Sequence, residues 1–372
     1  MIAENVAIYE SEGENDYSKK ILDRRCFNTA DLDEIFRRPH MMESITKRVS
    51  QENWNWLKLI GYQILCRHQR NDMQGNPSTI FTTETMFPLS STVLVSCLHG
   101  VQKKDTHTHT YVSTDACNLG NFMDNRGDSA KFDDYPRLTI GKKVPLVTSN
   151  KPKTIQSTLI TNIQNNSPWG YRYPVEDGEF NHGPKMNTQY DIVHLKQQTA
   201  LSPLDVYPVP YSGRVQEGNV VVVLGYPTKI KDDEISRKYR TLYKGTIPTI
   251  EDLGRVFTFG IRNYSFGYVS QVTNNFVYCR VHSSPGFSGG PALIIKDGRF
   301  FLIGMLCNSV IGVPMDKKKY GATVMSVNHP AFVAVYGSVV FPTLSQDQKK
   351  LATSYMMQHE SVLKNYFDVN SK

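Results

Sequence analysis

The chain has 372 residues, 40% of them hydrophobic, and a formal net charge of +7. That length supports one large domain or two compact units with cores of their own. The charge is modest, and its lysine runs (142–143, 317–319, 349–350) are short and read as solvated faces, so no nucleic-acid partner is expected. No stretch approaches 18 apolar residues, and the acidic start lacks the apolar segment of a secretory signal, so neither a membrane association nor a leader is expected.

In chain order, residues 1–20 read as a loose polar end. Residues 28–38 read as a short helix capped by Asn28 or Thr29, with acids in its first turn and Pro39 ending it. Residues 41–49 suit a second helix. Residues 1–53 thus form a helical N-terminal extension, which could serve as a propeptide, a docking element or a packed extension. Residues 54–66 read as a strand or a helix-to-strand passage, 71–77 as a turn, and 79–87 and 91–98 as strands. These open a first β-barrel assigned to 54–202. Residues 118–134 and 165–187, rich in Gly, Asn, Asp and Pro, read as loops around strands 138–147 and 154–163. His107 and His109 share a strand face, but nothing completes a ligand set; no metal and no cofactor is expected.

Residues 203–210 form a Pro-rich crossover into a second barrel assigned to 203–345. Its clearest strand lies within 219–227 and further strands at 260–270 and 275–281; residues 232–242 are a charged loop or short helix, and 323–325 and 333–336 are expected to close the barrel. Residues 346–372 carry a terminal amphipathic helix with Leu351, Tyr355, Met356, Val362 and Leu363 roughly on one face.

The chemistry concentrates in Gly286-Phe287-Ser288-Gly289-Gly290-Pro291, set between the strand-like runs 276–281 and 292–295. A Lys296-Asp297-Gly298-Arg299 turn and the apolar run 300–306 follow. A serine among glycines can project into a cleft, and the surrounding backbone can supply N–H donors to an oxyanion. A Gly-rich turn without chemistry has the same appearance. The nucleophile elbow of an α/β-hydrolase fits poorly: it needs a helix directly after the serine, which Pro291 opposes, and then an acid and a histidine.

Pro285-Gly286-Phe287-Ser288-Gly289-Gly290-Pro291 resembles the nucleophile loop of chymotrypsin-fold, trypsin-like serine peptidases. Val93-Leu94-Val95-Ser96-Cys97-Leu98-His99-Gly100 resembles the family's strand leading into its histidine. Tyr190-Asp191-Ile192-Val193-His194-Leu195 resembles the setting of its aspartate, and Leu224-Gly225-Tyr226-Pro227 its Gly-Tyr-Pro segment. The order His, Asp, Ser is the family's. The resemblance spans about residues 55–345, with only the short motifs clear.

The resemblance implies an all-β fold of two six-stranded antiparallel β-barrels, flanked by the N-terminal extension and the C-terminal helix. It implies a serine endopeptidase acting on protein or peptide substrates through an acyl-enzyme. Ser288 would be the nucleophile, His99 the base and Asp191 its orienting acid, with the backbone N–H groups of Gly286 and Ser288 as oxyanion hole. His282 and Ser283 would line the primary pocket. A histidine there does not suit cleavage after Arg or Lys; it suits an acidic or amide side chain, or is structural. Leu306, Cys307, Asn308 and Ser309 would pair with substrate backbone. Phe287 replaces the aspartate of trypsin-like zymogens, so activation by a new N-terminus is not expected, and the loop looks closer to HtrA/Deg-type and other intracellular or viral members. Gly100 and Ser284 stand where secreted members carry cysteines. The six cysteines are therefore expected as thiols, in an intracellular, cytoplasmic setting, with secretion left open. His194 reads as structural. Two other functions fit the same motifs: a pseudoprotease that holds peptides without cutting them, and an esterase-type acyl hydrolase. The oligomeric state is not legible.

Overall fold

The computed structural model describes residues 26–38, 47, 49–104, 111–113, 116–121, 143–148, 151–160, 191–197, 207–229, 249–310 and 321–364. The expectations for residues 1–20, 41–46, 107, 109, 122–134, 165–187 and 232–242 fall outside these.

The N-terminal segment is strand β1 (Cys26–Asn28), helix α1 (Thr29–Arg37) and helix α2 (Gln51–Leu57). Asn28 and Asp31 close a capping box at the start of α1, each side chain accepting the other's backbone N–H. Ser50 caps α2. Phe27, Leu32, Ile35, Trp54 and Leu57 are buried in the same cluster as Phe87, Val95 and Leu224. Of the roles open to this extension, its described part has that of a packed one.

The first unit runs through β2 (Tyr62–Asn71), β3 (Pro77–Pro88), β4 (Val93–Ser96), the single turn α3 (Leu98–Val101), β5 (Gln102–Lys104), β6 (Tyr111–Ser113), β7 (Ala116–Asn121), β8 (Lys143–Thr148), β9 (Lys151–Ile160) and β10 (Val193–Gln197). The order β10-β4-β3-β2-β7-β8-β9 closes a barrel, with β10 also pairing β9. It has seven strands rather than the expected six, and β7 pairs β8 in parallel. A parallel pair needs a crossover longer than a tight turn, and the chain between Asn121 and Lys143 provides the length. Strands β8 and β9 form a hairpin pairing Thr148 with Lys151, overlapping the expected 138–147 and 154–163, whose residues 138–142 and 161–163 lie outside the described ones.

The second unit is a seven-stranded sheet built from β1 with β11 (Val220–Gly225), β12 (Asn263–Val272), β13 (Phe276–Arg280), β14 (Pro291–Lys296), β15 (Arg299–Val310) and β16 (Gly321–Ser326), in the order β1-β12-β11-β14-β15-β16-β13. Helix α4 (Ile250–Val256) precedes β12. Strand β12 is shared along its length: residues 263–265 pair β1, and beyond Tyr268 a bulge near Ser270 accompanies pairing with β13. The continuous apolar run of β11 reflects burial of both faces. Val221 and Val223 enter one core cluster, and Val222 and Leu224 enter the other.

Residues 333–336 do not close the sheet as a strand. Pro330–Val335 is helix α5, capped by the His329 side chain with Pro330 in its first turn, and its residues 331–335 are all buried. A short apolar run buried on every side has neither helical nor strand periodicity to read. The terminal helix α6 is Gln346–Gln358, with Ser345 as its cap. Its buried face is Gln348, Ala352 and Tyr355, followed by His359 and Leu363, whereas Leu351 is 53% exposed. Of the expected face, Tyr355 and Leu363 are buried and Met356 and Val362 pack against the core; Leu351 alone faces outward, and polar Gln348 and His359 join the buried side. No described helix is long and apolar enough to cross a membrane.

Candidate active site

Strand β4 is fully buried, and the turn α3 that follows lifts His99 to the surface of the barrel with its side chain 18% exposed. Strand β10 runs antiparallel to β4 with Val193 opposite Ser96. Continuing that register two residues back along β10 brings Asp191 level with the start of α3. Asp191 is completely buried, and both its oxygens bond to one residue. Oδ1 accepts the backbone N–H of His99 at 2.9 Å, and Oδ2 lies 2.6 Å from His99 Nδ1. An ionised carboxylate only accepts, so Nδ1 carries the proton and Nε2 is left as the basic nitrogen.

The loop bearing Ser288 is built on the second sheet and pinned to the first barrel. Gly286 has φ +97°, and a Cβ there would meet the Tyr226 carbonyl oxygen at 2.1 Å. Phe287 points inward, fully buried, against Phe257 with ring centroids 5.8 Å apart. The alternation turns Ser288 outward, to intermediate exposure. Thr85 of β3 grips the loop: its N–H donates to the Ser288 carbonyl at 2.8 Å and its hydroxyl to the Gly286 carbonyl at 2.6 Å. Gly289 fits against Thr85 O and Ser96 Oγ, which a Cβ would meet at 2.0 and 2.2 Å. Ser96 itself donates to Thr85 O at 2.7 Å. The serine loop thus abuts the strand end that leads into His99. Among the described residues neither the Gly286 nor the Ser288 N–H is spent on an internal acceptor, and the Ser288 hydroxyl makes no hydrogen bond. Two of the three expected side chains are joined directly; the third is placed by its backbone.

The other expected site residues divide. His282 is half-buried and Ser283 buried. Leu306 and Cys307 are buried, and the Leu306 backbone is already engaged: its N–H donates to Gly290 O at 2.8 Å, and its carbonyl accepts from Gly289 N–H at 2.7 Å and from the Cys97 thiol at 3.0 Å. The described pairing of β15 with β14 ends at Met305, whereas its pairing with β16 continues to Val310. The edge left by β14 therefore begins beyond Leu306, at Cys307, Asn308 and Ser309.

Cys97, Asp191 and Cys307 bring their donor atoms within 4.8 Å of one another. This set does not fit a metal. Both Asp191 oxygens are used by His99, and the two thiols donate to Leu306 O and Met305 O. Burial, reinforced by a hydrogen bond with Cys307, holds the Cys97 thiol well above its ordinary range and so protonated. Cys26, Cys66, Cys97, Cys279 and Cys307 are all buried free thiols.

Sequence reasoning missed Thr85, Ser96 and Glu84. Thr85 and Glu84 are polar residues in β3, whose outer half is solvated, and only its burial from Glu84 onward sets them apart; Ser96 is the polar end of the otherwise apolar, fully buried β4.

No family model and no curated protein matches the sequence. Among solved structures, the chain is similar to a Glu endopeptidase (13% identity over 79% of this chain and 94% of that one, TM-score 0.38). It is also similar to an HtrA-type protease bound to a decapeptide (10% identity, 74% and 62% covered, TM-score 0.38). A third is Rv3671c of M. tuberculosis H37Rv in an inactive form (14% identity, 78% and 93% covered, TM-score 0.38). Likeness at that level carries no argument about the chemistry of this chain, which rests on its own geometry.

Proposed function

We propose that the protein is a trypsin-like serine endopeptidase, its second sheet serving as the second barrel through the additional β12–β13 pairing. The observation that carries this is the fully buried Asp191 with both oxygens on His99, next to a serine loop held by Thr85, which Ser96 in turn braces. A carboxylate without solvent is costly unless paired and hydrogen-bonded. Here the pairing also fixes the imidazole tautomer that a general base needs.

In this reading His99 Nε2 takes the proton of the Ser288 hydroxyl as Oγ attacks the peptide carbonyl carbon. The resulting imidazolium is stabilised by Asp191 and returns the proton to the leaving amine; water then hydrolyses the acyl-enzyme by the same relay. The uncommitted N–H groups of Gly286 and Ser288 receive the oxyanion, a donor pair of which each member is worth about 10²–10³ in rate. Apo sites commonly tighten their serine–histidine contact only with substrate bound. Peptide backbone would add to the edge of β15 at Cys307, Asn308 and Ser309. His282 and Ser283 would face the first side chain on the acyl side.

The test is labelling by a fluorophosphonate at pH 7.5. Wild-type protein should label at one serine, and Ser288→Ala and His99→Ala should each abolish it. Folded wild-type protein that never labels would instead identify a peptide-holding module. Labelling together with turnover of small esters but not peptides would identify an acyl hydrolase.

A further inference from the structure

The triad leaves one acidic neighbour of His99 without a role. Glu84, on β3, places Oε1 3.8 Å from His99 Nε2, while Asp191 Oδ2 stands 2.6 Å from Nδ1. Two carboxylates thus bracket one ring, one at each nitrogen. Glu84 is buried, its side chain only 9% exposed. The chain makes room for it: Gly100 follows His99, and a Cβ there would lie 2.3 Å from Glu84 Cγ. The neighbouring residue Thr85 is the one that grips the serine loop, so Glu84 cannot shift without disturbing the site. Among the described residues the carboxylates facing the ring are Asp191 ahead of β10 and Glu84 on β3, and the thiols of Cys97 beyond β4 and Cys307 on β15 lie beside Asp191.

We propose that Glu84 is a positioning residue for His99, whose carboxylate favours the charged imidazolium and so sets the lower pH limit at which His99 can act as a base. The inference rests on the reading of His99 as the base for Ser288. An opposite charge within ~4–6 Å favours the charged form by about 1–3 pH units. An imidazolium cannot accept the serine proton, so Glu84 switches the site off at mildly acidic pH where a histidine held by Asp191 alone would still work.

Glu84→Gln keeps the side-chain shape and removes the charge. The experiment follows the His99 ring by NMR titration, assigned with His99→Ala, alongside the rate of fluorophosphonate labelling from pH 5 to 8.5. The expected result in Glu84→Gln is a His99 midpoint about one pH unit lower and labelling at pH 5.5 up to about tenfold faster. Glu84→Asp, which retains the charge, should return both towards wild type. Coincident midpoints in wild type and Glu84→Gln overturn the inference. The two readings separate cleanly. A midpoint that moves in protein that never labels keeps Glu84 and removes the peptidase. Labelling with an unmoved midpoint does the reverse. Should Glu84→Gln not fold, Glu84→Ala takes its place with the same expected shift, and a wild-type midpoint at or below the ordinary ~6.5 overturns the inference outright, because Asp191 alone already favours the imidazolium.

Discussion

Asp191 is a charge with no water, tolerated because one histidine occupies both of its oxygens. Its amide analogue would keep the shape but would offer Nδ1 an N–H on one side, favouring the wrong imidazole tautomer. Asp191→Asn is therefore expected to retain the fold and lose about 10⁴ in kcat at neutral pH, read by peptide turnover beside a circular dichroism spectrum. An activity loss below about tenfold would mean that His99 is oriented by something other than Asp191. At this scale the sequence was informative where residues stand in a distinctive local setting. His99 ends an apolar strand, Asp191 opens another, and Ser288 is ringed by glycines. Glu84 and Thr85 have no such setting. In the run Thr82-Thr83-Glu84-Thr85 they look like the solvated part of a strand, and only tertiary packing buries both faces of β3 from Glu84 onward.

At the scale of elements, β3 is the bridge between the base and the nucleophile. Thr85 Oγ1 donates to Gly286 O at 2.6 Å and accepts from Tyr226 N–H at 3.1 Å, so one hydroxyl joins the serine loop to the end of β11. Thr85→Val has nearly the same volume but leaves a buried carbonyl and a buried N–H without that partner. Such losses cost about 1–3 kcal/mol each. We expect a lower denaturant midpoint together with slower Ser288 labelling; a stability change without a labelling change would show that the loop is held elsewhere. Phe287 anchors the same loop from the opposite side, in the core beneath Gly225, where a Cβ would meet its ring at 2.3 Å. The helix α5 is the counterexample of legibility. Its Val and Phe residues suit a strand by propensity and its Ala residues a helix, and the helix is decided by the His329 cap and by burial all round.

At the scale of the molecule, the first and last described segments are tied into the barrel and the sheet. Strand β1 extends the second sheet beside β12, and Thr343 donates to Ser90 of the first barrel at 2.7 Å. His329 belongs to this framework. Its Nδ1 accepts the Ala331 N–H at 3.1 Å, which requires that nitrogen to be unprotonated, and burial lowers its pKa to about 4. The unfolded chain, with an ordinary histidine, binds a proton between pH ~6.5 and ~4 that the folded chain refuses. This contribution is fully present above pH ~6.5 and is lost as pH falls through that window, about 3 kcal/mol in all. Burial shifts His359 in the same direction. Urea unfolding at pH 7.0 and 4.5 should show that loss, and His329→Asn, which can still cap α5, should flatten it. An unchanged pH dependence in that variant would assign the loss to other groups.

The sequence by itself determined the β-rich architecture and the N-terminal helix with its cap, and it singled out the three residues with the most distinctive surroundings; it left residues 54–66 open between a strand and a helix-to-strand passage. These are local matters: alternation, capping chemistry and turn residues act over a few positions. Only the tertiary structure decided the seventh strand and parallel pair of the first barrel, the insertion of β1 into the second sheet, the inward face of α6, and the placing of Glu84 against His99. Each depends on which segments distant in sequence lie side by side, and no local pattern encodes that pairing. The carboxylate at Nε2 comes from β3 and the one at Nδ1 from the start of β10, and the barrel closure that brings them to one ring makes a strand residue part of a candidate active site.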